Sequence, residues 1–372
     1  MPKRRQNGEG TLYQRKNGLW VYEYTAGYDR ENKRIKKTIT SMDLEALQKK
    51  INTVRYDSDR GIIKDAKNLT LNEWIDMWLH TYQKGNVKPT TYDGYIYAWQ
   101  GHIKDDIGNY RLDKINQISI QAFVNKLARD GLSLSTVKRS YIVINQAMKK
   151  AVSNNLIHIS PCFDINFPKS EPKQVVAMTK DEQIEFEKHC PDTTYGRLFL
   201  FALYTGMRVG EILALMWDDV DMGKRDINVK NNIVLVRDDD EKSDRKTRHI
   251  IQSAKTQSGI RTIPMSDKAF NVLSIQQAQE QNETFCFSSK AGTPIEKRNI
   301  RRALELVVDR ANIQTHVTMH VLRHTFATRL LERGANIKAV SEILGHKNIQ
   351  ITLDTYSHVL DDFKADTIKL LN

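Results

Sequence analysis

The sequence predicts a multidomain, mainly α-helical protein with a small β component. At about 150 residues per domain, its 372 residues suffice for two or three domains. Apolar residues recur at helical spacing along most of the chain, whereas short alternating runs occur near the N-terminus and in an insert at 226–265. Hydrophobic residues make up 40% and charged residues 27%, which is ordinary globular usage and excludes wholesale disorder.

The charge balance indicates a polyanionic partner. The formal net charge is +12, and residues 1–68 alone carry +7 of it, with 16 basic and nine acidic side chains. A concentration of positive charge on one terminal module is typical of nucleic-acid binding. The three cysteines are scattered, and no apolar run approaches the roughly 20 residues of a membrane span. We therefore expect a protein of a reducing cytoplasm with no membrane partner.

The N-terminal module is predicted to be a three-stranded sheet followed by a helix. The strands span 10–16, 19–26 and 33–40, and the sequence Lys-Asn-Gly at 16–18 is a hairpin turn signal. A helical pattern covers 43–60. A basic sheet face beside aromatic residues can enter a DNA major groove, although such a face is also often just solvated. The candidate DNA-binding side chains are Lys33, Arg34, Lys36 and Lys37.

Residues 69–165 are predicted to form a four-helix bundle. A capping box at 70–73 opens the first helix, and Thr90 or Thr91 is expected to cap the second. The third helix covers about 119–130, and the fourth runs from Ser133 or Ser135 to about 154. The proline-containing segment 167–174 is a predicted linker to a third unit, which is mainly helical.

Two motifs in the third unit place cations at chain turns. Gly206 interrupts an apolar helix, so Arg208 stands at the start of the next helix, where an anion can bind. Glu211 follows one turn later and can orient that arginine or simply decorate the surface. The stretch 253–264 predicts a β-hairpin with Lys255 at its turn, although turns favour lysine in any case.

Two further motifs lie near the C-terminus. His320 and Arg323 share one face near the start of a helix capped by Thr318. His324 lies four residues after His320, but the residue after His320 is not the glutamate of a zinc metalloprotease motif. Gly345 suits a helix C′ position and turns the next residue, His346, inward, and Tyr356 follows ten residues later in a short helical stretch.

Together these motifs resemble the tyrosine recombinases, the phage-integrase family, including the integrases of conjugative transposons and temperate phages. The match depends on order and spacing across about 175–372, since each motif alone is weak. Glu211 stands where the family often has an acidic residue. The six positions that carry the resemblance are Arg208, Lys255, His320, Arg323, His346 and Tyr356.

The resemblance implies a role for each residue. Arg208 and Arg323 would stabilise the negative charge of a phosphodiester transition state, with His320 and His346 as further donors. Tyr356 would attack the phosphate to form a 3′-phosphotyrosine.

A proton must leave the tyrosine and another must reach the leaving group. By the resemblance, His320 would take the proton of the tyrosine, and Lys255 would donate a proton to the leaving 5′-oxygen. Because the covalent link conserves the bond energy, no metal, ATP or other cofactor is expected.

The resemblance also implies domains and partners. Residues 1–64 would be an arm-type DNA-binding domain, 65–168 a core-DNA-binding bundle and 169–372 the catalytic domain. Double-stranded DNA with core and arm sites is the expected substrate, bound by a homotetramer in the synaptic complex. An excisionase and a host DNA-bending protein are the expected accessory partners.

Two other function classes remain open on the residues alone. Acidic runs at 218–221 and 238–241 offer ligands for Mg²⁺ in a metal-dependent nuclease. A transcription regulator would need only the basic module and the bundle. Cleavage in EDTA separates the three, because only a recombinase cuts DNA under that condition.

Overall fold

The chain folds into two compact units, Met1–Ser170 and Glu171–Asn372. Their boundary falls inside the segment predicted as a linker. Each unit buries a hydrophobic core of its own. The computed structural model describes residues 10–28, 33–59, 68–169, 176–238, 246–253, 259–279 and 284–362.

The first unit begins with the predicted sheet and helix. Gly18 adopts φ +83° in the first turn, a conformation that favours glycine. The strands are antiparallel in the order β1-β2-β3, and one side of the sheet packs on α1 through Tyr22, Leu47 and Ile51. The elements are β1 (Thr11–Gln14), β2 (Trp20–Tyr28), β3 (Arg34–Ser41) and α1 (Leu44–Asp59).

The strand register divides the predicted basic face. Lys36 pairs with Thr25 and Lys37 pairs with Tyr24. Since adjacent residues of a strand face opposite sides of the sheet, Lys37 belongs to the side of Tyr24, which packs towards α1. Lys36 belongs to the open side. The interpretation of these four residues as one continuous basic face is therefore wrong.

The aromatic residues of β2 belong to the module's core. Tyr22 is buried, and Trp20 and Tyr24 pack against the same cluster. Lys33 is exposed immediately before β3, whereas the side chain of Arg34 lies outside the described residues.

The remainder of the first unit is the predicted helical bundle. Thr70 and Glu73 form the predicted capping box. The indole of Trp74 donates to the Ala147 carbonyl at 2.7 Å, which fixes the first helix against the last. Single π-helical turns extend α2 and α3. The helices are α2 (Leu71–Trp78), α3 (Pro89–Ala98), α4 (Gln117–Arg129) and α5 (Leu134–Ser153).

One predicted cap in the bundle is wrong. Pro89 occupies the first position of α3 and Lys88 the N-cap, so neither Thr90 nor Thr91 caps that helix. Proline suits this position because its fixed φ matches the helix and its missing N–H would have no partner there. Asn116 caps α4, which begins two residues before the predicted start, and Ser133 caps α5 as predicted.

The second unit is mainly helical, and its core lies around α7. This helix is capped by Thr193 and ends at Gly206, whose φ of +63° and close approach to Phe326 both favour glycine. Its helices are α6 (Lys180–His189), α7 (Thr194–Thr205), α8 (Val209–Leu213), α9 (Asp267–Gln279), α10 (Lys297–Arg310), α11 (Met319–Glu332), α12 (Ile337–Leu344) and α13 (Ile349–Asp362).

The β insert forms two small antiparallel sheets. One has the order β4-β5-β8 and the other is a ribbon of β6 and β7. The strands are β4 (Val220–Asp221), β5 (Asp226–Val229), β6 (Asn231–Arg237), β7 (Thr247–Ser253) and β8 (Arg261–Pro264).

The predicted hairpin around Lys255 is wrong. β7 pairs with β6, and β8 pairs with β5, so the two described strands on either side of Lys255 do not pair with each other. Ser253 lies opposite Asn231, and Arg261 lies opposite Val229. Lys255 itself lies outside the described residues.

Within the described ranges, no helix has the length and apolar character needed to cross a membrane.

Candidate active site

The C-terminal end of α12 is the centre of the candidate site. Gly345 has φ +66°, its N–H donates to the Glu342 carbonyl at 2.9 Å, and the N–H of His346 donates to the Ser341 carbonyl at 3.0 Å. These two bonds form a Schellman motif, as the predicted C′ glycine requires. The carbonyls of residues 343–345 are left for other partners.

Each of these three carbonyls accepts a hydrogen bond from a different arginine. In order from residue 343 to residue 345, the donors are Arg261 at 2.6 Å, Arg323 at 2.6 Å and Arg208 at 3.3 Å. Carbonyls at a helix C-terminus lack intrahelical donors and carry partial negative charge, so they attract cations. The turn thus gathers three guanidinium groups that are far apart in sequence.

Arg323 joins the ends of two helices. Besides its bond to α12, its guanidinium donates to the Gly206 carbonyl at the end of α7 at 2.7 Å. Its side chain is buried. Burial, together with the nearby charge of Arg208, lowers the pKa of Arg323 to about 9. The group is therefore still protonated at pH 7.

Glu211 holds two of the arginines. Arg208 donates to it through the backbone N–H at 2.9 Å and through Nη1 at 2.8 Å, which closes the first turn of α8. Arg261 donates through Nη2 at 2.8 Å and through Nη1 at 3.2 Å. Glu211 and Arg261 each have a side chain only 7% exposed, whereas Arg208 is 38% exposed. Glu211 therefore orients Arg208 and is not a solvated surface residue.

The carboxylate of Glu211 is kept ionised by these arginines. Burial alone would raise the pKa of Glu211, but the hydrogen bond and charge of Arg261, with those of Arg208, hold it below its ordinary value. A buried ion pair of this kind stabilises the site only while both partners are present.

His346 faces the same cluster as a neutral imidazole. Burial, followed by the charges of Arg323 and Arg208, lowers the pKa of His346 to about 4. Its Nδ1 lies 2.8 Å from the hydroxyl of Thr352, a buried residue of α13. With Nδ1 accepting from that hydroxyl, Nε2 carries the proton and can donate to an anion.

Helix α11 carries two histidines beside Arg323. His320 is exposed, and burial of part of its ring, with the charges of Arg323 and Arg208, lowers its pKa. His324 lies one turn deeper, and its Nδ1 is 2.9 Å from the hydroxyl of Tyr356. From the sequence, we considered His324 only as a candidate zinc ligand. In the structure, its ring contacts the hydroxyl of Tyr356.

Tyr356 is almost completely buried. Its side chain is 1% exposed and packs with Leu331, Val340 and Leu344. Burial raises the pKa of Tyr356 to about 12, although the charge of Arg323 opposes this shift. The backbone at Tyr356 departs from α-helical geometry, with φ −118° and ψ 20°.

The structure therefore brings most of the predicted site residues into one region of the second unit. Lys255 lies outside the described residues, and the basic residues of the N-terminal module belong to the first unit. The residues that meet around the end of α12 and the start of α11 are Arg208, Glu211, His320, Arg323, His346 and Tyr356.

Sequence reasoning missed the contributions of Arg261 and His324. Arg261 shares a face of β8 with the buried Ile263, so strand alternation alone pointed this arginine inward. His324 follows Arg323 directly and lies on the same helix face as His320, but nothing in the sequence indicated its contact with Tyr356.

The acidic residues considered as Mg²⁺ ligands have other partners. Asp219 is buried and binds Lys230 Nζ at 2.8 Å, and Asp221 accepts from the Lys224 N–H at 2.8 Å. Residues 239–241 lie outside the described ranges. Among the residues that the structure describes, no three His, Cys, Asp or Glu side chains are grouped to hold a metal ion.

Two family profiles match the chain. The phage integrase family matches residues 169–362, and the N-terminal SAM-like domain of phage integrases matches residues 70–128. The first match contains the whole candidate site, and the second contains α2, α3 and all of α4 but its last residue.

Individual proteins match nearly the full length. The chain is 30% identical to a XerC-like tyrosine recombinase of Caldanaerobacter subterraneus subsp. tengcongensis, covering 96% of this chain and 97% of that protein. It is 24% identical to the transposase of transposon Tn916 from Enterococcus faecalis, covering 100% and 98%.

Solved structures share the fold. The Tn1549 transposon integrase in complex with a circular intermediate DNA matches with a TM-score of 0.68 at 24% identity, over 82% of this chain and 100% of that one. A lambda integrase dimer bound to a core site matches with a TM-score of 0.61 at 18% identity, over 95% and 96%. The mainly helical architecture with an N-terminal sheet and helix is the predicted fold class.

The Glu211–Arg261 pair makes a prediction about stability. Arg261→Met leaves a buried carboxylate without its main partner, so at pH 7 the free energy of unfolding should fall by about 3–5 kcal/mol, measured by chemical denaturation. In the variant, burial raises the pKa of Glu211, so the carboxylate should take up a proton as the pH falls from 7 to 5. The loss in the free energy of unfolding should therefore become smaller over this range. In the wild type the pKa of Glu211 is lowered, so its contribution should be fully present above the ordinary pKa of a glutamate and be lost only as the pH falls through the lowered value.

The double variant Arg261→Met/Glu211→Gln is the control. Removing the charge as well should recover most of the lost stability and abolish the difference between pH 7 and pH 5. An equal loss at both pH values in Arg261→Met would contradict this account of the pair.

Proposed function

This chain belongs to the phage integrase family of tyrosine recombinases, and we propose that it integrates and excises a mobile element by site-specific cleavage and rejoining of DNA. The observation that supports this most strongly is the end of α12. Arg208 and Arg323 bind adjacent carbonyls there, with neutral His346 beside them. Two fixed guanidinium groups and a ring N–H donor suit a phosphodiester, whose transition state spreads negative charge over its non-bridging oxygens.

Each of these residues has a role in the cleavage step. Arg208 and Arg323 stabilise the non-bridging oxygens, with His320 and His346 as further donors. The two arginines act without reorganisation at the moment of reaction, because Glu211 and the carbonyls at the ends of α7 and α12 already hold their guanidinium groups.

The covalent step exchanges one phosphate ester for another. Tyr356 Oη forms a bond to phosphorus as the bond from phosphorus to the 5′-oxygen breaks. His320 takes the phenol proton, and Lys255 protonates the leaving 5′-oxygen. The 3′-phosphotyrosine conserves the ester bond, so religation by a new 5′-hydroxyl needs neither ATP nor metal.

The proposed domains are 1–64 for arm-type sites, 65–168 for the core site and 169–372 for catalysis. The relatives support the assembly: a lambda integrase dimer is bound to a core site and a lambda integrase tetramer to a Holliday junction. We extend this to a homotetramer of the present chain on double-stranded DNA, assisted by an excisionase and a host DNA-bending protein. Such a complex would work at the nucleoid of a bacterial cytoplasm.

Tyr356→Phe tests the nucleophile. The variant should keep DNA affinity but form no covalent adduct with a nicked suicide substrate, because the phenyl ring has no oxygen to attack phosphorus. Denaturing gels with and without protease measure the adduct. The control is Tyr204→Phe, which changes a half-buried tyrosine of the same unit and should still form the adduct. An adduct in Tyr356→Phe would overturn the assignment.

Lys255→Ala tests the general acid. Cleavage should slow by about 100-fold or more, a usual contribution of acid–base catalysis. A substrate with sulfur at the 5′-bridging position should restore the rate, since a thiolate leaves without protonation. Lys230→Ala is the control, because it removes a lysine between β5 and β6, the strands that pair with β8 and β7, and it should show no sulfur rescue. Slow cleavage without rescue in Lys255→Ala would assign this lysine another role.

The register of the N-terminal sheet separates two adjacent lysines. If the open side of the sheet binds an arm-type duplex, Lys36→Ala should weaken the affinity for that duplex. The slope of log affinity against log salt concentration should also become smaller by about one. Lys37→Ala should have a smaller effect, because that side of the sheet packs on α1. Titrations of the full chain at several salt concentrations measure both. Equal losses in the two variants would show that binding follows charge and not the face of the sheet.

A further inference from the structure

The hydroxyl of Tyr356 cannot reach a DNA phosphate from its position in this structure. Its side chain is 1% exposed and lies in a cluster that also contains Ala327, Leu331, Val340 and Leu344. A duplex cannot enter a packed hydrophobic cluster. Attack on phosphorus therefore requires Oη to leave this position first.

Two of the groups that would contact the phosphate lie nearer the surface than Tyr356, whereas Arg323 is buried. The Arg208 side chain is 38% exposed, and His320 is exposed one helical turn before His324. Tyr356 is thus withdrawn by about one turn of α11 from the accessible edge of the site. Its hydroxyl is engaged there by His324 and by no other side chain of the described residues.

The protonation states define this contact. Burial, with the charges of His320 and Arg323, lowers the pKa of His324 to about 4, while burial raises the pKa of Tyr356 to about 12. At pH 7 the imidazole is neutral and the phenol is protonated. The phenol O–H therefore donates to Nδ1, and the ring proton of His324 is on Nε2.

The backbone gives Tyr356 room to move. α13 departs from helical geometry at Tyr356, with φ −118° and ψ 20°. Helices bend most readily where their hydrogen-bond ladder is already interrupted. His324 has no such freedom, because it lies in the interior of α11 next to the buried Arg323.

We propose that His324 is a positioning residue for cleavage, whose imidazole holds the Tyr356 hydroxyl in the withdrawn position until the site engages DNA. This rests on the proposed function of Tyr356 as nucleophile. Removing the acceptor shifts the tyrosine towards the accessible position. Because a single hydrogen bond is lost, the equilibrium between the withdrawn and the accessible position should shift by about fivefold to tenfold.

The opposite role for His324 is that of the base that takes the phenol proton during attack. The geometry disfavours it, since Tyr356 must leave the cluster while His324 stays on α11. The two roles also differ in sign. Loss of a holding contact speeds cleavage from an isolated site, whereas loss of a base slows it.

Two variants isolate the hydrogen bond. His324→Phe keeps a ring of similar size but removes the acceptor, and His324→Asn keeps an acceptor oxygen close to the position of Nδ1. In the DNA-free full chain, tetranitromethane should nitrate Tyr356 about fivefold to tenfold faster in His324→Phe than in the wild type. His324→Asn should behave as the wild type. Mass spectrometry of the Tyr356 peptide measures the rate, and nitration of Tyr204 is the internal reference.

Cleavage supplies the second measurement. Single-turnover adduct formation on a suicide substrate with one core half-site should accelerate to a similar extent in His324→Phe and remain near the wild-type rate in His324→Asn. Thermal melting verifies that each variant is folded. If the phenyl ring is not accommodated, His324→Leu is used as the acceptor-free variant under the same criteria.

Slower cleavage with unchanged nitration in His324→Phe would overturn the proposal, as would equal nitration of the Phe and Asn variants. Failure of the proposed function is a separate result. An adduct in Tyr356→Phe would refute the nucleophile assignment, whereas nitration of the DNA-free protein does not depend on recombination.

Discussion

The C-terminal end of α12 is the constraint on which the candidate site depends. Gly345 closes the helix with a Schellman motif, and the three carbonyls left over bind Arg261, Arg323 and Arg208 in succession. A Cβ on Gly345 would lie 2.9 Å from Arg261 Nη1, so glycine is required by this close approach as well as by its positive φ. One helix end thereby sets the positions of three cations contributed by three different segments of the chain, and it also places His346.

Gathering three guanidinium groups is electrostatically costly, and the structure offsets the cost in two ways. The carbonyls at the helix end carry the negative part of the helix dipole. Glu211, ionised and nearly buried, sits between Arg208 and Arg261. Because these contacts already satisfy most donors, the site is preorganised before substrate arrives, and the partial exposure of Arg208 leaves it able to bind an anion. The same arrangement explains why the pKa of each histidine is lowered: His324 and His346 are half-buried beside positive charge, and the exposed His320 has part of its ring buried near Arg323 and Arg208.

Helix α11 connects this cationic cluster to the tyrosine. Within five residues it carries His320 at the exposed edge, Arg323 bound to the ends of α7 and α12, and His324 in contact with Tyr356. The cationic cluster and the contact with Tyr356 therefore share one helix. Tyr356 itself belongs to α13, whose geometry departs from helical at that residue. The positions of the arginines are fixed by the fold, whereas the proposed attack by Tyr356 requires its side chain to move.

The sequence by itself determined the mainly helical fold class, most helix boundaries and the identity of the motif residues. Local signals sufficed there: capping boxes at Thr70 and Thr179, and glycines that must adopt positive φ at 206 and 345. Local signals failed where the partner is distant in the chain. The strands that flank Lys255 pair with β5 and β6 and not with each other, and register placed Lys36 and Lys37 on opposite sides of the sheet. Only the tertiary structure decided that Glu211 is a buried link between Arg208 and Arg261, and that His324 contacts Tyr356. These contacts join residues 32 and 50 positions apart, and packing, not local sequence, selects them.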